Sequence, residues 1–181
     1  MNSNLKMIRR SFGLLIVTLL LILASGIVVA ADNPEEVEKQ EVKLYFSDQQ
    51  AQNLLAVVEE VEKDNLWSNV LEKLIVGPDV ENVVMTVPGE TKVISIQEEI
   101  VAEDSQKKRL IVNFSEELVT KHWGGSGVII TINSIINTLT QFEQVKEVKL
   151  LLEGKKLNYF GGLKINNPGS FNPEIIENEN K

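Results

Sequence analysis

The chain has 181 residues with no cysteine, one histidine and 26 acidic against 18 basic residues, a formal net charge of −8. Without cysteine there is no disulfide framework, no thiolate nucleophile and no lipidated cysteine, and a zinc site would need mostly carboxylate ligands, which zinc rarely accepts. The negative balance argues against nucleic acid and anionic lipid surfaces as partners.

Residues 1–31 read as a targeting segment, either a signal peptide or a signal anchor. Lys6, Arg9 and Arg10 form a basic head, Phe12 to Ala31 is uncharged and almost wholly apolar, and small residues close it at Ala30 and Ala31. About twenty apolar residues also suffice to span a bilayer uncleaved, so both fates stay open. Leu23-Ala24-Ser25-Gly26 is similar to a lipobox, but Ile27 follows where cysteine would stand. The basic head places everything after it outside the cytoplasm, either on a single-pass anchor or secreted. That part carries 15 basic and 26 acidic residues, or −11. Its length suits one domain with a hydrophobic core.

Residues 32–40, DNPEEVEKQ, read as an acidic tether. In EVKLYFS, Val42, Leu44 and Phe46 alternate on one face, the mark of a strand. NLLAVVEEVEKDN fits a helix or a strand. The next stretch, DNLWSNVLEKLIVGP, spaces Leu66, Val70, Leu71, Leu74 and Ile75 as an amphipathic helix, with Asp64 or Asn65 to cap it and Gly77-Pro78 to stop it. Lys92 to Ile100 and Arg109 to Phe114 read as a hairpin joined by AEDSQKK. GVIITINSIINTLT predicts a buried helix with Ile129, Ile132, Ile136 and Leu139 on one face, its many β-branched residues relying on burial. VKEVKLLL predicts a strand, followed by a turn at Glu153-Gly154-Lys155 and a short return. From Asn166 to Lys181 the composition predicts a disordered tail.

The stretch WGGSG before that helix raises the question of a phosphate loop. It lacks the lysine before the serine that a phosphate loop places there, so Ser126 is expected to cap the helix and the glycines to let the chain turn. His122, beside Trp123, is the only histidine and reads as a surface or partly packed side chain rather than a base. Glu98-Glu99 and Glu116-Glu117 could contain a glycosidase pair, but neighbouring strand residues face opposite ways and both pairs fit a solvated surface. No catalytic, cofactor-binding or metal-ligating residue is therefore assigned. Tyr45, Trp67, Trp123 and Tyr159 are the large amphipathic groups that could anchor a partner, and unpaired strand edges offer another route.

Taken in order, LYFSD, LEKLIVGP, TVPGETKV, LIVNFSEEL, INTLTQFEQVKEVKLLLEG and YFGG resemble the GerMN domain of bacterial sporulation and germination proteins, over Val42 to Gly162. The most specific marks are Leu74-Ile75-Val76-Gly77-Pro78 and Asn137-Thr138-Leu139-Thr140-Gln141-Phe142 before a strand that ends in Glu153-Gly154; Glu143-Gln144 departs from a proline-glycine pair common in the family. The resemblance implies that Leu54 to Glu62 is a strand. It implies an α+β domain at 41–165, with one mixed or antiparallel sheet and two principal helices on one face, similar to ring-building modules. It also implies a non-enzymatic, exported interaction module that helps assemble or position a cell-envelope complex in sporulation or germination. Its partners would be envelope or sporulation-complex proteins, peptidoglycan, or further copies of the chain, with membrane contact through the N-terminal segment. The alternative is a peptidoglycan- or polysaccharide-directed hydrolase or binding protein.

Overall fold

The computed structural model describes residues 37–121 and 125–176. The targeting segment, most of the tether, His122, Trp123, Gly124 and residues 177–181 lie outside the described residues. Strands β1 (Lys39–Asp48) and β2 (Leu54–Glu62) form an antiparallel hairpin, so the ambiguous stretch is a strand, and helix α1 (Leu66–Val76) follows. β3 (Val83–Val84) precedes the hairpin of β4 (Val93–Val101) and β5 (Asp104–Phe114). A one-turn helix α2 (Glu117–Thr120), the long α3 (Gly125–Thr140), and β6 (Val145–Leu152), β7 (Lys155–Lys156), β8 (Tyr159–Phe160) and β9 (Leu163–Lys164) complete the order.

The strands do not form one sheet. They form a three-stranded sheet in the order β2-β1-β3, a four-stranded sheet β4-β5-β6-β7 with β6 parallel to β5, and the small β8-β9 hairpin. The two long helices meet each other and serve both sheets: α1 packs on β1, β2 and β4, and α3 on β1 and β6. A continuous core of Leu44, Phe46, Leu71, Leu74, Leu110, Phe114, Ile135, Leu139 and Leu150 lies between them. The sheet divides because the second edge of β1 is closed by side chains of α3 instead of by a strand. Lys43 N–H donates to Gln141 Oε1 (2.7 Å), and Gln141 Nε2 returns a bond to Lys43 O (2.6 Å). Tyr45 N–H donates to Thr138 Oγ1, and Ser134 Oγ donates to Tyr45 O. Only beyond that, at Ser47 and Asp48, does β3 take over.

Several local expectations change. β1 begins at Lys39, inside the expected tether. The β4–β5 connection is only Ala102-Glu103, because β5 reaches back to Asp104, which pairs with Val101. Ser126 falls within the first turn of α3, exposed, and is not its cap. Ile129 is 50% exposed, whereas Ile132, Ile136 and Leu139 are buried as expected, with Val128 and Ile135 completing that face. Asn65 does occupy the N-cap position of α1, but in the left-handed region (φ 54°) and with no bond from its side chain. Gly77 ends that helix at φ 93°, its N–H bonded to Lys73 O. At the other turn, Glu153 (φ 47°) and Gly154 (φ 78°) form a two-residue link between β6 and β7.

The stretch 166–176, expected to be part of a disordered tail, is held, with residues 167–169 along the second edge of β6. Leu150 N–H donates to Asn167 Oδ1, and Asn167 Nδ2 donates to Leu150 O and Leu157 O. Val148 and Gly169 exchange main-chain bonds. A Cβ at Gly169 would stand 2.3 Å from Ile136 Cδ1, so a larger residue here would force the Ile136 side chain to move. Composition did not show this, since the amides of Asn167 and Asn172 fasten the segment together with the few apolar side chains it has, Phe171, Ile175 and Ile176.

Candidate functional site

Two features of the surface could take a partner: a groove beside α3 and the open strand edges. The groove, of about 540 Å³, runs between α3 and residues 163–172. Val128, Ile132 and Ile136 form its floor, while Ile129, Leu163 and Phe171 line it half-exposed. Its far wall is positioned by another carboxamide: Asn172 N–H donates to Asn137 Oδ1, Asn137 Nδ2 donates to Asn172 O, and Asn172 Nδ2 reaches Asn133 Oδ1. The Tyr45 ring lies edge-on to Phe171 at 6.2 Å and joins Leu54 and Ile130 in a second small core. Burial raises the Tyr45 pKa. Among the described residues Lys164 is the only titratable side chain along the groove, so this lining offers apolar contact and amide hydrogen bonds.

Of the carboxylates weighed as catalytic pairs, those of Glu98, Glu99 and Glu117 are engaged in local bonds. Glu98 accepts from Trp67 Nε1 (2.7 Å) and Lys108 Nζ, tying α1 to the β4–β5 hairpin. The Lys108 bond, then the Trp67 bond, holds its carboxyl below the usual range. Glu99 turns the other way, to Arg109 Nη1 (3.3 Å), as alternation along a strand requires. Arg109 also binds Glu147, and this pairing raises the guanidinium pKa. Glu116 is exposed at the start of α2, its N–H given to Glu153 Oε1. Glu117 is held below its usual range chiefly by the Ser115 hydroxyl. Among the described residues no three histidine, cysteine, aspartate or glutamate side chains converge on one point.

The aromatic candidates divide. Tyr45 is core, Trp67 is half-buried with an edge-on contact to Phe142 at 5.0 Å, and Tyr159 stands 64% exposed. Trp123 and His122 lie outside the described residues. The groove was missed in the sequence because one of its walls comes from the stretch read as a tail. The repeated asparagines at 133, 137, 167 and 172 were the available signal. Among the described residues no helix is long and apolar enough to cross a membrane, and the apolar run from Phe12 to Ala31 falls outside them.

The motif from Asn137 to Phe142 has a structural account residue by residue. Asn137 fastens the groove wall, Thr138 and Gln141 close β1, and Leu139 is core. Thr140 bonds back to Ile136 O, and Phe142 receives Trp67.

Among solved structures, the tandem GerMN domains of the sporulation protein GerM from Bacillus subtilis share the fold at a TM-score of 0.58 and 19% identity, over 83% of this chain and 51% of that one. The present chain thus spans about half the length of that tandem structure. The first GerMN domain of the same protein aligns at a TM-score of 0.53 and 21% identity, over 72% of this chain and 97% of that one. No curated protein matches. Residues 43–158 match the Germane family, described as sporulation and spore germination, and because this is well over half of its length the chain belongs to that family.

Proposed function

We propose that the chain is an exported, membrane-tethered interaction module that helps assemble or position a cell-envelope complex in sporulation or spore germination. The observation that carries this is the groove beside α3. Half-exposed Ile129, Leu163 and Phe171 border a cavity large enough for several side chains of a partner, on a frame locked by amide bonds. Exposed apolar clusters around a preformed cleft are typical of binding surfaces. Family membership supports the setting, and the apolar run from Phe12 to Ala31 supports tethering. The commitment of Glu98 and Glu99 to structural bonds favours binding over hydrolysis.

The test is a pull-down of the full chain from native membranes, with and without muramidase treatment. Protein partners are expected to survive muramidase, and to be lost from the double variant Ile129→Ser with Phe171→Ser. Retention that disappears with muramidase would instead assign the groove or its surroundings to the cell wall. Incubation with peptidoglycan sacculi gives the complementary measurement. Release of fragments by the wild type, abolished by Glu98→Gln with Glu99→Gln, by Glu116→Gln with Glu117→Gln or by His122→Ala, would establish a hydrolase.

A further inference from the structure

The described strands leave four long edges, and they have been treated differently. The second edges of β1 and β6 are closed by Gln141, Thr138 and Ser134 and by Asn167 and Gly169. The outer edge of β4 is unpaired but irregular, with register shifts at both ends of its ladder. Such bulges twist an edge away from further pairing. The outer edge of β2 is different: its nine-residue ladder with β1 runs without a shift, and among the described residues it has no other strand neighbour.

The direction of its main-chain groups follows from β1. Lys43 and Tyr45 give theirs to α3, so the alternate residues Val42, Leu44 and Phe46 face β2, where Glu59, Val57 and Leu55 answer them. Ala56, Val58 and Glu60 therefore turn their N–H and C=O groups outward, without partners among the described residues. Each of the three is exposed. This open stretch is bounded at both ends, since Ile176 bridges Leu54 in parallel and Asn69 Nδ2 donates to Glu62 O. The bridge at Ile176 shows that an extended chain fits against this edge.

The side chains define what would fit. Val58 is 57% exposed, and Glu60 stands directly opposite Glu41, with neither in an ion pair among the described residues. Like charges facing each other across strands repel, and a cation set between them would relieve this. A shallow groove beside the edge, about 440 Å³, adds Glu62, Glu72 and the exposed Val76; of its two lysines, Lys73 is bound to Glu59 and Lys39 stands opposite Glu62, leaving Glu60 and Glu72 the acidic excess. We propose that the outer edge of β2, from Ala56 to Glu60, receives an extended segment of a partner protein as an added strand, with an apolar side chain against Val58 and a lysine or arginine against Glu60. This rests on the reading of the chain as an interaction module and names the surface and the chemistry of the partner.

The probe is a short capped peptide of alternating lysine and valine, with a glutamate–valine peptide as control, added to the full chain in detergent and followed by residue-resolved amide hydrogen exchange. The lysine–valine peptide is expected to slow exchange at Ala56, Val58 and Glu60, and the control to leave them fast. Val58→Pro removes an outward donor without touching the β1 ladder and is expected to weaken binding by about ten-fold or more. Glu60→Lys is expected to reverse the preference between the two peptides while leaving the fold intact. Equal binding by both variants, or protection in Ser95–Glu99 instead, would overturn the proposal. So would amides at 56–60 that are already slow without peptide, because the residues after Ile176 would then occupy the edge themselves. Partners captured from membranes without protection at this edge would retire the edge and leave the module reading standing.

Discussion

The two sides of the β1–β2 hairpin meet the same physical problem with opposite outcomes. On the β1 side, the outward peptide groups of Lys43 and Tyr45 are answered by side chains of α3, while on the β2 side the corresponding groups of Ala56, Val58 and Glu60 face outward. The carboxamide of Gln141 is the instructive element. It both donates to and accepts from Lys43, as a neighbouring peptide unit would, and Asn167 does the same at Leu150 and Asn137 at Asn172. An amide side chain can thus end a sheet with no orphaned main-chain group, which buried backbone requires. Closing an edge this way removes it from association, and leaving one regular edge unclosed concentrates association there.

The largest test of the closed side strikes it from behind. Leu139→Ala, between the sealing residues Thr138 and Gln141 and fully buried, is expected to lose about 2–5 kcal/mol in denaturant unfolding. A change under about 1 kcal/mol would mean that α3 does not hold the edge through its core face. Asn167→Ala leaves Leu150 N–H and the Leu157 carbonyl without their partner, while Leu150 O keeps the Leu157 N–H, with an expected loss of about 2–4 kcal/mol and faster amide exchange at Leu150. Gln141→Ala makes the same cut at an exposed position where water can substitute, so about 1 kcal/mol is expected. If the two amide variants cost the same, burial is not what distinguishes the seals. On the open side, Val58→Thr should stay within about ±0.5 kcal/mol in the same melts, since no described residue depends on that side chain.

The smallest effect concerns pH. The folded Glu98 carboxyl is held below its unfolded range by Lys108 and Trp67, so its contribution is present above the unfolded pKa and is lost as pH falls through the folded one. Because the pair is partly exposed, solvent screening limits it to roughly 0.5 kcal/mol. Melts of wild type and Glu98→Gln should therefore converge in acid, below the usual carboxylate range, and separate towards neutral pH. A difference that persists unchanged in acid would assign the loss to packing against Trp67.

Local pattern was sufficient wherever one side chain period and one set of stop signals acted together. Alternation at Val42, Leu44 and Phe46, helical spacing from Leu66 to Ile75 ended by Gly77-Pro78, and the Glu153-Gly154 turn are all written within a few residues of themselves, and the structure keeps them. The strand at Leu54–Glu62 was not legible from propensity and came from the family resemblance; pairing with β1 supplies the stability that its own residues leave ambiguous. What local pattern could not contain was the bonding of Asn137 to Asn172, Gln141 to Lys43 and Asn167 to Leu150, across 35, 98 and 17 residues. Polar residues that read as solvated loop or tail are, in the fold, the substitutes for missing strands. That long-range exchange of peptide for carboxamide divides the sheet, builds the groove wall and decides which edge remains open. Sequence specified the elements through near neighbours; tertiary structure chose their ends, because only there do donors and acceptors distant in the chain meet.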